Sequence, residues 1–143
     1  MKAKNPYPIM TADEAVQFIS DGNMVAFSGF TSAGAAKVIP KALASKAREQ
    51  HDKGSNFKIK VLTGASTSEA IDKDLAEANA ISWRAPYQSD KVIRNLINQE
   101  EVEYVEMHLS HLPQAVSSGF FGKVDVAVIE AREITADGRV YLT

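Results

Sequence analysis

An α/β fold, with a mostly parallel open sheet and helices on both faces, is what this sequence predicts. Apolar strand-like runs alternate with amphipathic segments nearly from end to end. Glycine and hydroxylated residues follow the first two runs, in SGFTSAG and TGASTS. The stretch VDVAVI at 124–129 is continuously apolar apart from one aspartate, as in parallel strands covered on both faces.

Each element has a local reason. Thr11-Ala12-Asp13-Glu14 is a capping box, with Ala12, Val16 and Ile19 on one helical face and Gly22 as the stop. Residues 24–27 read as a strand. Pro40 suits the first turn of a helix that runs to about Asp52 and closes at Gly54. Residues 59–62 form the next strand. Ser66-Thr67-Ser68-Glu69 is a second capping box, opening a helix through Leu75 and Ala78. Residues 80–83 read as a strand and 84–89 as a loop. Ser89 then caps a helix whose buried face is Val92, Ile93, Leu96 and Ile97. Residues 103–107 read as a strand, Pro113 opens a helix that Gly119 ends, and Ala136-Asp137-Gly138 turns into a strand at 140–142. That strand stops at Thr143, which predicts one part of a longer polypeptide or one subunit of a split protein.

Composition narrows the function classes. The 143 residues are 45% apolar and 24% charged, the balance of one globular domain with a real core. A net charge of −2 without a basic cluster argues against nucleic acid or an anionic membrane as partner. The absence of cysteine excludes a disulfide framework, a thiolate metal site and a cysteine nucleophile. The start, MKAKNPYPIM, has neither the apolar stretch of a signal peptide nor the arginines of a transit sequence, and no run reaches membrane-spanning length. The expected compartment is the cytoplasm.

The two loops after the first strands carry the candidate chemistry. Open α/β sheets hold ligands at their carboxyl edge, where glycine admits a ligand and hydroxyls and amides can grip an oxyanion. Gly29 and Gly34 have phosphate-loop spacing, but Ala35 and Ala36 stand where a lysine and a hydroxyl are required, so a nucleoside triphosphate site is not expected. The alternative for this loop is a plain strand-to-helix turn, and for Ser66 a plain N-cap. His108 and His111 lack a third ligand, so no metal is expected and they read as core or helix-end residues. Glu130 is either a base or nucleophile, or a structural carboxylate bonded to loop amides or to Arg132 or Arg84. Trp83, Phe120 and Phe121 read as packing residues.

Five segments in order, SGFTSAGAAKVIPKAL, VLTGASTSEAID, ISWRAPYQSDKVIRNLIN, YVEMHLSHLPQAV and GKVDVAVIEAREITADG, resemble the N-terminal part of the acetyl-CoA hydrolase/transferase family, the class I CoA-transferases. The resemblance implies the N-terminal half of a two-domain α/β enzyme, with residues 1–143 as its first domain. It implies CoA exchange between an acyl-CoA and a short-chain carboxylate through a glutamyl-CoA thioester, with coenzyme A as substrate and no cofactor. The nucleophilic glutamate is then expected in the second, C-terminal CoA-transferase domain, so no catalytic residue is assigned here, and a homodimer is expected. The resemblance assigns substrate binding to Gly29, Phe30, Thr31, Ser66 (the family's active-site serine) and Ser89, and gives His108 no role. Two other readings stay open: a sugar-phosphate isomerase or deaminase, and a non-catalytic carboxylate-binding module.

Overall fold

Alternation of apolar residues along the strands divides the core in two, one part on each face of a sheet. The structure, a computed structural model, describes residues 7–65 and 68–143. Strands β1 (Met24–Phe27), β2 (Ile59–Thr63), β3 (Ile81–Ala85), β4 (Glu103–Tyr104) and β5 (Val126–Val128) pair in the order β4-β3-β2-β1-β5, all parallel. Helices α1 (Ala12–Ala15), α2 (Val38–Asp52), α3 (Glu69–Glu77), α4 (Lys91–Asn98) and α5 (Leu112–Ser117) supply the layers. Val25, Ile59 and Val61 pack with Leu43, Ala47, Ile71, Leu75 and Ile93 from α2, α3 and α4 in the larger core. Met24, Leu62, Trp83 and Ala85 face Leu112 of α5 in the smaller one. Helices thus cover both faces, as expected.

A bulge in β3 decides what its last residues can reach. Ile59 pairs with Ile81, but Lys60 pairs with Trp83, so one extra residue, Ser82, enters the ladder. Its hydroxyl donates to the Ile59 carbonyl at 3.2 Å. Side chains alternate along a strand, so the extra residue reverses the faces that follow. Ile81 belongs to the larger core and Trp83 to the smaller one. Arg84, one residue on, meets α3. Its guanidinium is fully buried, with Nε and Nη2 donating to the two carboxylate oxygens of Asp72 at 2.8 and 3.1 Å.

Several sequence expectations need correction. The first helix ends in a 3-10 turn at Val16–Phe18, and Gly22 sits in the turn beyond it. The cap of α3 is Ser68, accepting from the Ala70 N–H at 3.2 Å; Ser66 and Thr67 lie outside the described residues. Asp90, accepting from the Val92 and Ile93 N–H groups, caps α4 in place of Ser89. Arg84 and Ala85 belong to β3 instead of the loop after it. The strand expected at 124–129 is three residues long, pairs with β1 alone and exposes Ala127, because it lies at the sheet edge. Strand β6 (Ala131–Ile134), unforeseen, forms an antiparallel hairpin with β7 (Val140–Leu142) across the expected turn. Phe120 is 71% exposed and meets Phe121 edge-on, whereas Trp83 and Phe121 pack as anticipated.

Removing Asp72 strands a buried positive charge. Asp72→Ala is expected to lower the unfolding free energy of the domain by about 3–5 kcal/mol in urea titrations. A loss below about 1 kcal/mol would mean that Arg84 finds another counter-charge or water.

Candidate functional site

Because β1 to β4 run parallel, the connections leaving their carboxyl ends meet at one edge of the sheet. Backbone bonds tie them together. The Thr31 N–H donates to the Ala65 carbonyl at 2.8 Å, joining the first connection to the second. The Tyr104 hydroxyl, at the end of β4, donates to the Pro86 carbonyl of the third connection at 3.1 Å, and the Val105 N–H, opening the fourth, donates to the Arg84 carbonyl of β3 at 3.0 Å. Burial first, then the negative charge of Glu106, holds the Tyr104 phenol above its ordinary pKa, so it stays a donor to Pro86.

These connections bound a cavity of about 550 Å³. Thr31 and Ala65 come from the first two connections, Pro86 and Tyr87 from the third, and Glu106 to Leu109 from the fourth. The volume falls among small-molecule sites, roughly 300–1,000 Å³. Its wall is mainly apolar, with the Thr31 and Tyr87 hydroxyls, the Glu106 carboxylate and the His108 imidazole as polar groups. Ser110 brings both its hydroxyl, at 2.7 Å, and its N–H, at 3.3 Å, to His108 Nδ1. Accepting from that N–H favours the tautomer with its proton on Nε2. Among the described residues, no lysine or arginine lines this cavity.

The expected site residues do not gather in one place. Thr31 lines the cavity. Gly29 and Phe30 line a neighbouring hollow of about 290 Å³ with Ser28, Gly34, Glu130 and Thr143, and Phe30 is 71% exposed. Ser89 belongs to a third hollow, with Lys73 and Asp90. Ser66 lies outside the described residues. The N–H groups of Ser28, Phe30, Thr31 and Ala33 donate to the carbonyls of Val128, Ala33, Ala65 and Phe30, so these four do not face a ligand. The first connection thus brings Thr31 to the cavity without a cradle made from these four amides.

Ser28 organises that connection. Its hydroxyl donates to the Gly34 carbonyl at 2.7 Å and accepts from the Glu130 N–H at 2.9 Å. Gly34 has φ +62, and a Cβ there would lie 3.3 Å from Thr143 Oγ1. Glu130 pairs with Lys37 at 2.5 Å, not with the arginines considered from the sequence, and Arg84 is committed to Asp72. His111 is the exposed N-cap residue of α5, and its ring centroid lies 5.7 Å from that of the exposed His108, so neither is a core histidine. Among the described residues no group of three His, Asp or Glu side chains is arranged to hold a metal.

Sequence reasoning left out Pro86, Tyr87, Glu106, Met107 and Leu109. The available signal was topological: residues following the third and fourth parallel strands share an edge with those following the first two. The Arg84–Asp72 pair gave no signal, since its residues lie on different elements and meet only through the β3 bulge.

The architecture is that of an α/β domain with an open parallel sheet and a cavity at its carboxyl edge. Residues 1–143 match the acetyl-CoA hydrolase/transferase N-terminal domain along their whole length, and the chain belongs to that family. It is 53% identical over 134 residues to the propanoyl-CoA:succinate CoA transferase of Escherichia coli K12, covering 94% of this chain and 27% of that protein. Identity to the succinyl-CoA:acetate CoA-transferase of Clostridium kluyveri is 41%, over 92% of this chain and 24% of that one. An acetyl-CoA hydrolase of Schizosaccharomyces pombe is 35% identical, over 87% of this chain and 25% of that one. The chain thus spans about a quarter of the length of these relatives. The fold is shared with RipA of Yersinia pestis, at TM-score 0.66 and 21% identity over 92% of this chain and 30% of that one. An acyl-CoA transferase of E. coli O157:H7, solved as a thioester complex with CoA, gives TM-score 0.64 and 18% identity over 78% of this chain and 22% of that one.

Thr31 holds a left-handed φ of 54° on a β-branched residue. That conformation costs roughly 1–2 kcal/mol for an L-residue. Thr31→Gly is therefore expected to stabilise the domain, by a few tenths to about 1 kcal/mol once the freer unfolded chain is counted. Thermal unfolding reads it; a lowered midpoint would mean that Thr31 contacts outweigh the strain.

Proposed function

We propose that this chain is the N-terminal domain of an acyl-CoA:carboxylate CoA-transferase and supplies the wall against which a short-chain carboxylic acid is held. The supporting observation is the 53% identity to a CoA transferase across nearly the whole chain, with a ligand-sized cavity at the sheet edge. In the proposed reaction a glutamate outside residues 1–143 attacks the acyl-CoA carbonyl and expels the CoA thiolate, leaving an acyl-glutamyl anhydride. The thiolate then attacks the glutamyl carbonyl, which releases the first acid and leaves a glutamyl-CoA thioester. An incoming carboxylate repeats the two steps in reverse and departs as the new acyl-CoA, restoring the glutamate. Coenzyme A enters as substrate, and no other cofactor is invoked. The complete protein is then a two-domain, cytoplasmic homodimer; among the described residues, no helix is long and apolar enough to cross a membrane.

The residues on hand suit that division of labour. Thr31 and Tyr87 offer hydroxyls, Pro86, Met107 and Leu109 an apolar wall for a short alkyl chain. Among the described residues no lysine or arginine lines the cavity and Glu106 does, a setting less hostile to a carboxylate monoanion than to a sugar-phosphate dianion, which calls for a cation. Transfer is favoured over hydrolysis because relatives at 53% and 41% identity are named CoA-transferases, while several named acetyl-CoA hydrolases are 31–35% identical.

The full-length protein, given acetyl-CoA and propionate or succinate, is expected to form the new acyl-CoA faster than it releases free thiol. Thiol release independent of added acid would favour the hydrolase. Carboxylate binding without either product would favour the non-catalytic module.

Ser66 and Ser68 can be told apart. Ser68→Ala is expected to cost about 1 kcal/mol of stability as a lost N-cap, with turnover largely kept. Ser66→Ala is expected to lower turnover across several acids with an unchanged unfolding midpoint. Equal turnover in Ser66→Ala and wild type would remove Ser66 from the site.

A further inference from the structure

We infer that Arg84, Asp72 and Thr63 are positioning residues that set the geometry of the acid-holding edge, an inference that rests on the CoA-transferase reading. Two of the guanidinium nitrogens grip Asp72, four residues beyond the Ser68 cap of α3. The third, Nη1, donates to the Ala85 carbonyl at 2.6 Å and to Thr63 Oγ1 at 2.9 Å. The Thr63 hydroxyl in turn donates to the Gly64 carbonyl at 3.1 Å. Ala85 precedes Pro86, and Gly64 precedes Ala65; both Pro86 and Ala65 line the cavity. One buried side chain therefore holds the last residue of β2, the last residue of β3 and the early part of α3. Those attachments flank, on both sides, the connection that carries Ser66.

A buried guanidinium must bond its donors somewhere inside the protein; the informative part is where these acceptors lie. A buried ion pair seldom outperforms apolar packing of the same volume. The bidentate contact with Asp72 already balances the charge. The remaining hydrogen bonds run to the strand ends next to the cavity, where a displacement of about 1 Å can cost on the order of a hundredfold in rate.

Thr63→Val is the informative variant, because it keeps the side-chain shape and the Arg84–Asp72 pair while removing both hydroxyl bonds. In the full-length protein it is expected to lower kcat about tenfold with the KM for acyl-CoA changed less than about threefold, the split that misplacement produces. Amide exchange over 64–70 should accelerate, and Thr63→Ser should restore both. Thr63→Ala gives the same readouts if valine packs poorly. A kcat within about twofold of wild type, or unchanged exchange over 64–70, would overturn the inference, as would a serine variant as impaired as the valine one. Wild-type protein inactive with every acyl-CoA and acid tested would reject the CoA-transferase reading instead, and exchange over 64–70 still decides whether the hydroxyl fixes that connection.

Discussion

Arg84 and Asp72 meet where β3 passes beneath α3, and much of the sheet edge follows from that contact. A planar guanidinium with no exposure must spend its donors inside the protein. It directs two to a carboxylate and the rest to a threonine hydroxyl and a main-chain carbonyl. The bulge at Ser82 makes this possible by turning Arg84 toward the helix layer. Were Ser82 an ordinary paired residue and not a bulge, alternation from Ile81 would place Arg84 on the α5 face among Met24, Leu62 and Leu112. Local strand irregularity, a buried charge and the start of a helix are therefore one arrangement.

From this frame the cavity follows. Four parallel strands, β1 to β4, end at one edge, where Thr31 is tied to Ala65 on one side and Tyr104 to Pro86 on the other. The first connection spends four amides on itself and on its neighbours, so these do not form a ring of N–H groups at the cavity.

Sequence alone made the alternating architecture legible, because strand and helix periods differ and each element is bounded by its own punctuation. The Thr11–Glu14 capping box and the 24–27 strand are found as expected, since local chemistry decides both. Ser66, Thr67 and Ser68 are all competent caps, so propensity could not choose among them; α3 begins after Ser68. Ser89 lost its capping role to the neighbouring Asp90 for the same reason. The apolar run at 124–129 reads as a covered strand, yet its surroundings depend on what flanks it, and here one side is an edge. The site was legible only as a sheet edge. The convergence of Pro86, Tyr87 and 106–109 on Thr31 needed strand order, which no local pattern encodes.

In the proposed function this domain holds the acid while a glutamate outside residues 1–143 carries CoA. Peptide mapping by mass spectrometry, after brief exposure of the full-length protein to acetyl-CoA or propionyl-CoA, tests it most directly. A CoA adduct on a glutamate outside residues 1–143 is the predicted result. An adduct on Glu130 or any other carboxylate of this chain would contradict it, as would the absence of any adduct with either acyl-CoA.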